Sequence, residues 1–175
     1  LDNRFVSERV NELKRRKIKF IQADILNIDQ IVEYISKADV VHHLAGITDV
    51  AYVKKDSDND RDEIIKKVAI EGTDNVLSSM NKNALIVFPS THVVFEGIKE
   101  QKENITENEK TNTFLAYSSS KVENKKQIIK SGNKHKIFRL GSVYGFSTDT
   151  MRINIMPNLF SKIASQNGQI KLFGG

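Results

Sequence analysis

Ala84-Leu85-Ile86-Val87-Phe88, leading into Pro89-Ser90-Thr91, is an unbroken apolar run that ends on two hydroxyl side chains. A short run of this kind, bounded by turn-forming and polar residues, predicts a strand. Helical patterns flank it over about 62–80 and 114–130. Farther out, strands are predicted over 18–23, 40–45 and 136–140, with a strand-like end at 170–173. Further helices are predicted over about 28–36 and 153–165. Short strands separated by helices are what a parallel sheet with crossover helices requires, so the fold class is α/β.

At 175 residues the chain is one domain's worth, with 39% hydrophobic and 28% charged residues, a composition typical of globular proteins. Cysteine is absent, which excludes disulfides and thiolate metal sites and points to a reducing compartment. The longest apolar stretch, 38–47, is broken by Asp39, His42 and His43 and is too short to cross a bilayer. No secretory pattern stands before it. A cytoplasmic address without membrane contact is expected. The formal charge of +5 is spread over several segments and mixed with Glu and Asp. It reads as a solvated surface suited to an anionic small ligand, and no nucleic-acid partner is expected.

Two metal readings fail on geometry. His42 and His43 are neighbours on a predicted strand and point to opposite faces, so they cannot chelate one ion together. The alternation Asp56, Asp58, Asp60, Asp62 resembles a calcium loop, but Arg61 stands where glycine is needed and Lys67 where glutamate is needed. Acidic residues leading into a helix N-terminus account for it. The polar segment 96–113 is predicted to be a surface loop.

Tyr117-Ser118-Ser119-Ser120-Lys121 carries the chemistry. Residues four apart share a helix face. An ammonium beside a phenol favours the phenolate and lowers a pKa that starts near 10. With a hydroxyl such as Thr91 at the end of the apolar run, the set can move a proton on an alcohol while a nicotinamide exchanges hydride. Ser90 can take the place of Thr91.

Other segments fall in a definite order: Leu1-Asp2-Asn3, Ala23-Asp24-Ile25, His43-Leu44-Ala45-Gly46, Ser90 to Phe95, Tyr117 to Lys121, and Arg139 to Gly145. Each sits at or just beyond a predicted strand end, where α/β sheets bind ligands. This order resembles the extended short-chain dehydrogenase/reductase family of NAD-dependent epimerases and dehydratases, from Leu1 to Gly175. The resemblance implies a Rossmann-like, doubly wound parallel sheet. It implies that Asp2 binds the adenosine ribose, that Asp24 and Ile25 frame the adenine, and that Ala45 and Gly46 let the backbone approach the cofactor. Asp24 can equally cap a turn, and Arg139 can equally be a surface ion pair. Thr91 takes the catalytic hydroxyl position, Tyr117 that of the base, and Lys121 that of the residue holding the nicotinamide ribose. Ser142 lies in the substrate segment. The implied cofactor is NAD, with NADP open because Arg4 is near Asp2. The implied partner is a nucleotide sugar, in a homodimer.

The sequence also departs from the family pattern. Ala69 and Ser142 stand where asparagines are usual. His92-Val93 stands where dehydratases carry Asp-Glu, which argues against elimination of water. None of the nine glycines forms a G-x-x-G-x-x-G array. The sheet is therefore expected to be incomplete, lacking its first strand and helix. Residues 1–150 are read as a partial NAD-binding domain and 151–175 as the start of a substrate region, in a fragment of a longer enzyme that binds NAD weakly by itself. An NAD(P)-dependent reductase of a non-sugar ketone or alcohol, or a non-catalytic NAD(P) sensor, would share much of this pattern.

Overall fold

Strands β1 (Val40–His42), β2 (Leu85–Thr91) and β3 (Lys134–Leu140) form one parallel sheet in the order β1-β2-β3. The protein is seen in a computed structural model that describes residues 3–48, 59–145 and 155–171. Five α-helices are described: α1 (Asn3–Arg15), α2 (Ile28–Ile35), α3 (Asn59–Ser79), α4 (Ala116–Lys130) and α5 (Met156–Ser165). The chain divides into two compact units. One is Ala23–Gly141, holding the sheet and α2 to α4; the other comprises Leu1–Gln22 and Ser142–Gly175, holding α1 and α5.

Alternation along the strands builds the core of the first unit. Ile86 and Phe88 of β2 are buried, with Val41 of β1 and Ile137 of β3 as their register neighbours. They pack on Ile31 of α2, Val76 of α3 and Ile128 of α4. Helix α2 starts where the Asn27 side chain accepts the Asp29 N–H, a common N-cap. Helix α3 carries Asp60 and Asp62 in its first turn, where the helix dipole favours negative charge. Its apolar and small residues Ile65, Gly72, Thr73 and Val76 form the buried stripe. Helix α4 packs across α3 through polar side chains: Asn124 donates to the Ala69 carbonyl (2.9 Å), and Gln127 to Ile70 and Asp74.

The helices and strands at the centre match the sequence reading, while the margins depart from it. The predicted strand at 18–23 is not one. Lys17 closes α1 in the left-handed region (φ 57°), and the following residues find no ladder neighbour among the described residues, since β1 pairs with β2 alone. A β-rich sequence becomes a strand only where a neighbour takes its backbone groups. Helix α1 itself was not anticipated. Its signal is the pairing of Glu12 with Arg15 and Arg16 at i+3 and i+4. Strand β1 ends at His42 because the Leu44 N–H turns back to the His42 carbonyl. Of the strand expected at 170–173, Ile170 and Lys171 are irregular and the rest lie outside the described residues.

Candidate active site

The sheet and α4 meet in a cleft at the carboxyl end of β1. Leu44, Ala45, Gly46, Ile47 and Thr48 line one side, Ile65 and Ala69 of α3 another, and Tyr117, Ser120, Lys121 and Asn124 of α4 the third. Ala45, Gly46, Tyr117 and Lys121, four of the residues singled out in the sequence, are thus gathered in one place.

Lys121 is the electrostatic centre of this cleft. Its Nζ donates to the Pro89 carbonyl at 2.9 Å. It lies 4.4 Å from the centre of the Phe88 ring and 5.9 Å from that of Tyr117. Burial pushes its pKa down to about 8, because a desolvated ammonium is disfavoured. Beneath it, the buried His43 ring lies 5.7 Å from Phe88 and shares a 2.8 Å hydrogen bond with the Thr73 hydroxyl.

The His43 pKa is pushed down to about 4, by burial first and by the Lys121 charge second. The unfolded chain takes this proton near 6.5. Between the two values the unfolded state binds more protons, so stability falls as the pH falls. The loss by pH 4 is of the order of 3 kcal/mol. Urea unfolding at about pH 7 and about pH 4.5 should show His43→Gln losing distinctly less stability than wild type between the two. Equal losses would mean that His43 is not the titrating group.

Other singled-out residues lie elsewhere. Thr91 is buried at the end of β2, outside the lining of the cleft, and its Oγ1 accepts the Val93 N–H at 3.2 Å, capping the 3₁₀ turn His92–Phe95. Asp24 is exposed and accepts the Leu26 N–H at 2.9 Å, a turn-capping contact. Ile25 packs against Gly72 of α3, where an added Cβ would come within 2.3 Å of its Cδ1, and its carbonyl accepts from Asn75. Arg139 donates to the carbonyls of Thr106 and Glu107 and covers the Phe95 ring, pinning the 96–113 loop. Ser142 is exposed and belongs to the other unit. Asp2 lies outside the described residues. Among the described residues no cluster of His, Asp and Glu is placed to hold a metal ion, and no helix is long and apolar enough to cross a membrane.

Two features were missed in the sequence. Glu96, read only as the start of a loop, reaches the beginning of α4 and accepts the backbone N–H groups of Phe114 and Leu115, both at 2.8 Å. Ser120 lines the cleft with a buried Oγ that has no partner among the described residues, while the Ser118 hydroxyl proton is shared between Glu96 and the Leu115 carbonyl and Ser119 bonds backward along the helix. An unpaired buried hydroxyl costs about 1–3 kcal/mol. Ser120→Ala is therefore expected to raise stability by about 1 kcal/mol, read as a higher urea midpoint at unchanged slope. A lower midpoint would show that the hydroxyl has a partner in solution.

The cleft leaves backbone and side-chain donors open to a ligand. Gly46 is exposed, and an added Cβ would meet nothing within 4 Å, so a ligand can approach its backbone. Lys121 uses one of its three donors on Pro89, which leaves two for other acceptors.

Three solved structures show what the chain is similar to. A UDP-glucose 4-epimerase superposes with TM-score 0.69 at 20% identity, over 86% of this chain and 48% of that one. A dTDP-4-dehydrorhamnose reductase from Clostridium acetobutylicum gives 0.59 at 26%, over 90% and 56%. A dTDP-4-dehydrorhamnose reductase from Bacillus anthracis, solved with NADP, gives 0.64 at 22%, over 82% and 48%. The chain thus spans about half the length of these proteins. No curated relative matches it. The α/β fold is accordingly Rossmann-like, with an incomplete sheet in the described residues. The sequence matches the NAD dependent epimerase/dehydratase family over residues 2–175, and the chain belongs to that family.

Proposed function

We propose that this chain carries the catalytic tyrosine and lysine of an NAD(P)-dependent enzyme acting on a nucleotide sugar. One observation carries the reading: Tyr117 and Lys121 share a cleft with the open backbone of Ala45 and Gly46. Bound NAD(P) supplies the hydride acceptor or donor. Tyr117 as phenolate takes the proton of the sugar hydroxyl, and the Lys121 ammonium favours that phenolate electrostatically. Lys121 also holds the ribose with its spare donors. Thr91 lies outside the described lining of the cleft; its Oγ1 accepts from Val93, and its own proton is proposed to donate to a sugar oxygen that reaches the end of β2. Hydride return to the opposite face gives the epimer, and a single transfer gives an oxidised or reduced sugar. The active species is proposed to be a homodimer.

The 26% identity over nine-tenths of the chain to a dTDP-4-dehydrorhamnose reductase favours net reduction as the second reading. Two incubations separate them. UDP-glucose with NAD should yield UDP-galactose by chromatography if the enzyme is an epimerase. dTDP-4-dehydrorhamnose should consume NADPH or NADH if it is a reductase. Inertness toward a panel of nucleotide sugars with both cofactors would sink the assignment of substrate class.

A further inference from the structure

We propose that Glu96 is a positioning residue for Tyr117, fixing the first turn of α4 from the far side of the 96–113 loop. This rests on the reading of Tyr117 as the base.

Helix α4 has no cap of its own. Its N-cap is Leu115, whose side chain makes no capping bond, and its first turn contains no acidic residue. The Glu96 carboxylate instead holds the residues at this start. Its Oε1 accepts from the Phe114 N–H, the Leu115 N–H and the Ser118 hydroxyl. Tyr117 stands between the last two of these donors. One turn later, Lys121 is tied to the Pro89 carbonyl of β2. The Tyr-x-x-x-Lys turn is therefore held at its start by Glu96 and at its end by β2.

Glu96 is itself anchored. Its N–H donates to the Val93 carbonyl, and the neighbouring Gly97 and Asn112 exchange backbone and side-chain bonds that staple the two ends of the loop. Its Oε2 is buried with no partner among the described residues. Burying a carboxylate oxygen unpaired costs stability. A residue kept for stability alone would be better neutral, so the arrangement points to geometry at Tyr117.

Two charged groups among the described residues, Lys121 and Glu96, bear on the phenol. Lys121 is the one charged side chain in the described lining of the cleft; α3 presents Ile65 and Ala69 there, and the β1 loop presents Leu44 to Thr48. Glu96 adds a negative charge at the helix start, which by Coulomb's law alone would raise the phenol pKa. Clamping would lower it by holding the ring beside Lys121. The two effects have opposite signs, so substitution separates them.

Tyr117 ionisation is read by ultraviolet difference titration of the full-length protein, subtracting a Tyr117→Phe partner in each background. Wild-type Tyr117 should titrate below the ordinary value near 10. In Glu96→Ala it should move back toward 10, with kcat reduced about tenfold or more and KM little changed. Glu96→Gln, whose amide oxygen still accepts from the same donors, should titrate at or below the wild-type value and keep most of kcat. A Glu96→Ala protein that titrates and turns over like wild type overturns the proposal. Should Glu96→Ala fail to fold, Ser118→Ala removes one of the three donors and should shift the titration the same way by less; no shift there overturns the proposal equally. An ordinary pKa for wild-type Tyr117 would instead remove the base assignment, whereas a low pKa indifferent to Glu96 removes this inference alone.

Discussion

Tyr117→Phe is expected to lower turnover by roughly 10²- to 10⁴-fold while leaving cofactor affinity within about threefold of wild type. The change deletes one oxygen from a ring that lines the cleft, so packing is conserved. What disappears is the group proposed to accept the substrate proton. Lys121, still held by Pro89, keeps the donors proposed to hold the ribose. The measurement is kcat with UDP-glucose or dTDP-4-dehydrorhamnose beside a cofactor titration by fluorescence. Full activity in the phenylalanine variant would show that the proton goes elsewhere. A variant that loses activity and cofactor binding together would show a structural role.

Lys121→Met is expected to remove activity to a similar extent and, at neutral pH, to make the protein more stable. The folded protein carries the ammonium in a site that pulls its pKa to about 8 from 10.5. Between these values the unfolded chain binds more protons, so wild-type stability rises with pH across that window. Below it, the buried charge is a standing cost. The Pro89 hydrogen bond and the Phe88 ring offset part of this cost, and the side chain is only partly buried. The net gain in Lys121→Met at pH 7 is therefore about 1 kcal/mol. The rise in stability between about pH 8 and pH 10.5 should vanish in the variant. A less stable variant with an unchanged pH profile would mean that the ammonium stabilises the fold. Stability sacrificed at one residue for chemistry is common at active sites.

The centre of this protein was legible because its signals are local. The run 84–88 and the helical patterns around it depend on nearby sequence, and β2, α3 and α4 appear where they were expected. The juxtaposition of Ala45, Gly46, Tyr117 and Lys121 followed from the family that the ordered motifs resemble, in which ligands gather at strand ends. What escaped reading depends on distant partners. The 18–23 run has strand composition without a ladder neighbour among the described residues. Glu96 lies 18 and 19 positions from the amides it accepts, and no local pattern marks such a contact. Asp24 binding Leu26 is the local alternative that composition could not separate from a ligand contact.

Parallel pairing also bears on how the chain acquires this structure. Each ladder joins residues roughly 45 to 50 positions apart, across a whole helix and its loops. Neither ladder can form before those distant segments meet, so the loop-closure entropy is lost before contacts repay it. Strand β2 belongs to both ladders, which makes it the common point of nucleation. Shortening Ile86 or Phe88 should slow refolding more than it hastens unfolding, and neither of the described ladders can form until the segment that becomes β2 has emerged.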